Sequence, residues 1–174
     1  MHLRCWIPLI PIIAAIGCQP CVVSTAQVEG LMPADRSAVE QSVRGFMASV
    51  AQAVTQEGPT AWSKEFEGGA NFFMVVNGKV AFPTGEAAAQ AIPGVARAIP
   101  HIDLKWGDDL RIDPLTADLA IVGSSYQEIQ VKSQAQTVTE NGYFTGVVER
   151  RNGKWQFRDA HWSEAAPAPA AKAP

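Results

Sequence analysis

Four side chains of this sequence could carry proton-transfer chemistry: Tyr126 and Glu128 in one predicted strand, and Asp159 and His161 in another. Such chemistry needs a base of tuned pKa within reach of a substrate and a group that holds developing oxyanion charge. Side chains alternate between the two faces of a strand. Counting by two puts Trp155, Phe157, Asp159, His161 and Ser163 on one face, and Tyr126 and Glu128 with Ala120, Val122 and Ser124 on another. If both faces look into one cavity, the four groups converge, with Trp62, Phe66 and Trp106 as apolar walls. Plainer readings stand beside this one. His161 reads first as a buried, hydrogen-bonded histidine that organises the pocket floor, with Asp159 its nearest partner in sequence, and Trp62 and Phe66 read first as core; Glu128 reads equally as a solvated outer residue.

Other chemistries find less support. A zinc site needs several converging His, Cys or carboxylate ligands, and the body of the chain offers His101 and His161, far apart and without metalloprotease spacing. Gly68-Gly69 and Asn152-Gly153 read as turns, not as a phosphate-cradling loop. A Ser-His-Asp triad has no nucleophile-elbow pattern behind it. No metal, no cofactor and no assigned catalytic residue are therefore expected.

The elements that would position these residues follow from periodicity. Val39, Val43, Phe46, Met47, Val50 and Val54 form one apolar stripe, predicting a helix over Asp35 to Glu57. Ser37 and Glu40 have capping-box spacing, and Asp35 is an alternative cap. Thr60 to Phe66 reads as a short second helix. Asn77-Gly78 between apolar runs predicts a hairpin within Asn71 to Phe82. Gly85 to Ile99 reads as a third helix, bent at Pro93. Strands follow over Asp103 to Ile112, with an irregularity at Gly107-Asp108-Asp109, and over Leu119 to Val131. Asp113-Pro114 reads as a turn, and the polar Lys132 to Glu140 as a loop or frayed strand. Gly142 to Arg151 and Lys154 to Ser163, joined by Asn152-Gly153, form a closing hairpin. Helices first and strands last imply an α+β domain over residues 33–164.

The closing strand, Gly153-Lys154-Trp155 through His161-Trp162-Ser163, resembles the last strand of nuclear transport factor 2-like (NTF2-like) proteins, nearest their bacterial SnoaL-like and DUF4440-type branch. It is also similar to the association domain of calcium/calmodulin-dependent kinase. The resemblance implies a cone: a strongly curved antiparallel or mixed sheet packed on three N-terminal helices, with a pocket at its open end. It also implies frequent homodimerisation through the sheet. Phe144 and Val147 fall on opposite faces of their strand, so one of them should lie outside the core. Family members include enzymes, such as ketosteroid isomerase and polyketide cyclases, and domains that only bind or assemble. The primary expectation is a small-molecule-binding or assembly domain. The alternative is an isomerase, dehydratase or hydrolase-like enzyme using acid/base catalysis on a small apolar substrate.

Composition bounds the rest. Hydrophobic residues make up 47% of the 174-residue chain and charged residues 18%, enough for a packed core. The net charge of −3 and pI near 5.6 argue against a nucleic-acid partner. Residues 1–26 hold one base, Arg4, and no acid, and Cys5 to Gly17 is an apolar run broken by Pro8 and Pro11. That run is short for a membrane span, which takes roughly 20 residues, and reads as an export signal. Ser24-Thr25-Ala26 suits a cut after residue 26, while Ala15-Ile16-Gly17-Cys18 resembles a lipobox that would place a lipid on Cys18. The expected location is a bacterial envelope, in the periplasm or held to the membrane only through that lipid. Residues 165–174, rich in Pro and Ala, read as a disordered tail.

Overall fold

A computed structural model describes residues 31–165. The expected export signal, Cys18 and all of the expected tail beyond Ala165 lie outside the described residues.

Helix α1 (Pro33–Glu57) buries the predicted stripe: Val43, Met47, Val50 and Val54 are completely buried. The helix begins two residues before Asp35 and four before Ser37. Pro33 opens its first turn, where a missing N–H costs nothing, and neither Asp35 nor Ser37 caps it. Gly58 ends it at φ 66°, where a Cβ would stand 3.0 Å from the Pro100 carbonyl oxygen. A 3₁₀ turn (Gly58–Ala61) and the single-turn helix α2 (Trp62–Glu65) replace the expected second helix. Helix α3 (Gly85–Ala98) is capped by Thr84, whose Oγ1 accepts the Ala87 N–H at 3.2 Å, and it accommodates Pro93 within its length.

Seven strands form one mixed sheet: β1 (Phe73–Val76), β2 (Lys79–Phe82), β3 (His101–Trp106), β4 (Arg111–Thr116), β5 (Leu119–Val131), β6 (Thr137–Arg151) and β7 (Lys154–Glu164). The order is β2-β1-β7-β6-β5-β3, with β4 also on β5, and only the β1–β7 pairing is parallel. β3 and β4 pair with successive stretches of β5. Between them Asp109 fills the gap, its Oδ1 accepting from the Ser125 N–H at 2.9 Å and the Ser125 Oγ at 2.7 Å.

Two sequence expectations are corrected and a third is resolved. Asp113-Pro114 lies inside β4, an edge strand that pairs with β5 alone, the kind of strand in which proline is tolerated; the register slips just after it, between Pro114 and Thr116, and the chain turns at Ala117-Asp118 instead. Of the stretch read as a loop or frayed strand, Lys132 to Gln136 is the loop, while Thr137 to Glu140 belongs to β6, which pairs with β5 from Val131↔Thr137 onward. The alternation of β7 is broken. Val147 pairs with Asp159 and Val148 with Phe157, leaving Arg158 as an extra, bulged residue. Beyond it Ala160 and Trp162 point inward, while Asp159 and His161 point outward, opposite to the face given by unbroken counting.

Two indoles fix α1 to the sheet. Trp106 Nε1 donates to the Met47 carbonyl at 2.8 Å, and Trp155 Nε1 to Ser42 Oγ at 2.9 Å. The core between them is aromatic, with Phe144 and Trp162 ring centres 4.4 Å apart and Phe144 and Phe157 5.3 Å apart.

The bulge generates a test. Without it, residues 158 and 160 would share the outer face; with it, only Arg158 does. Ala160→Asp should cost at least about 3 kcal/mol by burying a carboxylate, and Arg158→Gln should stay within about 0.5 kcal/mol of wild type. Urea denaturation of both variants decides the point; equal stability of the two would contradict the bulge.

Candidate functional site: the inner cavity

The bent sheet, α2 and α3 line a cavity of about 250 Å³ that is open to solvent on one side. One wall is Trp62, Phe66 and Trp162, with Trp62 stacked on Phe66 at 5.3 Å and edge-on to Trp162 at 5.4 Å. The hairpin β1–β2 adds Met74, Val76 and Phe82, and α3 adds Ile92 and Val95. Polar groups are confined to the strand side: Tyr126, Glu128 and Gln130 on β5, Glu140 on β6 and Glu164 on β7.

Strand register brings these groups together. Glu140 stands opposite Glu128, Gly142 opposite Tyr126, and Glu164 opposite Gly142. Gly142 makes room for the phenol. A Cβ there would lie 2.9 Å from the Tyr126 hydroxyl oxygen and 2.0 Å from the Ser163 carbonyl oxygen. Gln130 Nε2 donates to Glu128 Oε2 and to Glu140 Oε2, each at 2.9 Å. Lys132 Nζ donates in turn to Gln130 Oε1 and lies 4.0 Å from Glu140 Oε1.

The electrostatics follow from burial. Glu128 is 8% exposed. Burial pushes its carboxyl above the ordinary range. The Gln130 hydrogen bond opposes this, Glu140 adds to it, and Lys132 and Glu164 act more weakly in opposite senses. Burial likewise raises the Tyr126 phenol, reinforced by Glu128, Glu140 and Glu164. At the cavity's polar end stand a carboxyl biased toward its neutral form and a phenol that stays protonated. The first can exchange a proton, and the second can donate or accept a hydrogen bond.

Four of the seven predicted residues meet here: Tyr126, Glu128, Trp62 and Phe66. Three do not. Trp106 braces α1 and packs on Phe144 at 5.2 Å instead of walling the cavity. Asp159 and His161 line a shallow groove of about 340 Å³ on the outer face of the sheet, beside Phe73, Val75, Ile121 and Val147. His161 is exposed, so the buried, pocket-organising role expected for it does not hold. Sequence reasoning missed Gln130, Glu140, Glu164 and Trp162. Extending the count by two from Glu128 reaches Gln130; the others depend on the register of β6 and the bulge of β7. Among the described residues, no three His, Cys, Asp or Glu side chains are grouped as a metal ion would require.

No family model matches the sequence, and no curated protein matches it either. Solved structures do share its fold. A scytalone dehydratase-like protein from Novosphingobium aromaticivorans superposes with a TM-score of 0.67 at 13% identity, covering 78% of this chain and 89% of its own. An NTF2-like superfamily protein from Salmonella enterica serovar Typhimurium gives 0.65 at 16%, covering 79% and 98%. A hexachlorocyclohexane dehydrochlorinase from Novosphingobium barchaimii gives 0.57 at 15%, covering 79% and 96%. The chain therefore has the NTF2-like fold, an α+β cone with a mixed, open sheet. Proteins of this fold include both dehydrating and dehydrochlorinating enzymes, and fold alone does not choose among their activities.

Glu128 has a pH signature. A carboxyl whose folded-state pKa is raised favours the native state while protonated, and that stability is lost as pH rises from the ordinary value near 4.5 through the folded-state value. Glu128→Gln keeps an acceptor for Gln130 and removes the titration. Its stability relative to wild type should grow between pH 5 and pH 8, as read by urea melts at both. A constant difference would mean Glu128 is not held toward its neutral form.

Proposed function

We propose that this chain is an exported small-molecule-binding domain whose ligand occupies the inner cavity. The observation that carries the reading is one apolar, aromatic-walled cavity with its polar groups gathered at a single end around the buried Glu128. Such a distribution binds the hydrocarbon part of a ligand by area and orients it by a few polar contacts. Binding ranks above turnover because Asp159 and His161, the other proton-handling groups expected from the sequence, face away from the cavity.

A second reading is favoured by the Glu128–Tyr126 pair. In it Glu128 moves a proton and the Tyr126 hydroxyl holds developing oxyanion charge, as an isomerase, dehydratase or hydrolase-like enzyme would require. The dehydratase-like and dehydrochlorinase structures of the same fold support it by analogy. The outer face, where Phe73, Ile121 and Tyr143 are each about two-fifths exposed, supports a homodimer joined through the sheet.

Native mass spectrometry of protein purified from its own cells tests these points together. The expected spectrum shows a dimer and a small molecule lost on denaturation. Its protomer mass corresponds to a start at Gln27 or to acylated Cys18. A chain retaining Met1 contradicts export. A monomer contradicts the sheet interface, and identical native and denatured protomer masses contradict a retained ligand.

A further inference from the structure

The charges lining the inner cavity are of one sign. Glu128, Glu140 and Glu164 contribute carboxyls, and no lysine, arginine or histidine lines it among the described residues. Lys132 stands behind Gln130, donates to its Oε1 and lies 4.0 Å from Glu140 Oε1, so it offsets part of the Glu140 charge without itself lining the cavity. Even with Glu128 neutral, Glu140 and Glu164 outweigh this single cation. Gln130, the amide donor nearest the carboxyls, spends both contacts of its Nε2 on Glu128 and Glu140.

An independent feature points the same way. Tyr126 is 5% exposed and lines the cavity, and its hydroxyl has no hydrogen-bond partner among the described residues. The hydroxyl is not sealed from solvent, so it is available to a ligand that enters the cavity. The carboxyls are not grouped for a metal ion. The facing wall consists of Trp62, Phe66 and Trp162, apolar surface that suits the hydrocarbon part of such a ligand.

We propose that the cavity selects an apolar molecule bearing one protonated amine, with the ammonium among Tyr126, Glu140 and Glu164 and the hydrocarbon against Trp62, Phe66 and Trp162. This rests on the reading of the cavity as a binding site and specifies its ligand class. The ammonium donates to the Tyr126 oxygen and to the rim carboxylates, and no covalent step is involved.

Three probes of matched shape test it: cyclohexylmethylamine, cyclohexylmethanol and cyclohexanecarboxylate, titrated calorimetrically into the purified full chain at neutral pH and low salt. The amine should bind about tenfold tighter than the alcohol, and the preference should shrink as salt screens the partly exposed Glu140 and Glu164. In the double variant Glu140→Gln, Glu164→Gln, with folding checked by circular dichroism, the amine-to-alcohol ratio should fall below about threefold. Equal binding of amine and alcohol, or tightest binding of the carboxylate, overturns the amine assignment while leaving the cavity a binding site. An amine preference that survives in the double variant overturns its placement at this rim. Failure of all three probes to bind overturns both readings.

Discussion

The extra residue at Arg158 is the constraint on which the arrangement of this molecule depends. It lets one strand present Trp155 and Phe157 inward, change phase, and present Ala160 and Trp162 inward again. The first pair seals the core against α1; Trp162 then reaches past Phe144 to wall the cavity opposite Glu128. A bulge also sharpens the local twist of a strand, which suits a sheet that must curl around helices. The same phase change sends Asp159 and His161 to the outer face, so the residues that looked most like acid/base machinery are separated from the cavity by the sheet itself.

Most of the fold was legible because its signals are local. The stripe from Val39 to Val54 specifies a buried helix face whatever surrounds it. Asn77-Gly78 and Asn152-Gly153 take positive φ at both residues of each pair, which few other dipeptides accept, and both make the expected hairpins. Gly107 to Asp109 interrupts the edge as read, with Asp109 standing in for a strand partner. Pro114 misled because an edge strand tolerates proline, here with a slip in register directly after it.

The site was less legible, for a physical reason. A strand facing a polar cavity end does not show the apolar alternation by which strands are recognised. Glu140 disguised the start of β6 as a loop, although it stands opposite Glu128 and shares Gln130 with it. Glu164 and Trp162 lie beyond the bulge, where counting by two assigns the wrong face. The bulge carries no glycine, only an Arg-Asp pair whose members are both compatible with solvent, and so leaves no mark in the residue types. Tyr126 and Glu128 were found because β5 runs without a phase change along its whole length.

The central claim is that the functional face is the inner one and that Trp162, not its neighbour His161, belongs to it. The most direct measurement is the affinity of cyclohexylmethylamine, by calorimetry, for two variants altered at adjacent positions, Trp162→Leu and His161→Ala. Leucine keeps the site apolar but removes the ring that faces Trp62. The account predicts that Trp162→Leu weakens binding about tenfold, equivalent to about 1.4 kcal/mol, while His161→Ala binds as wild type. Loss of binding in His161→Ala with Trp162→Leu unaffected would contradict it.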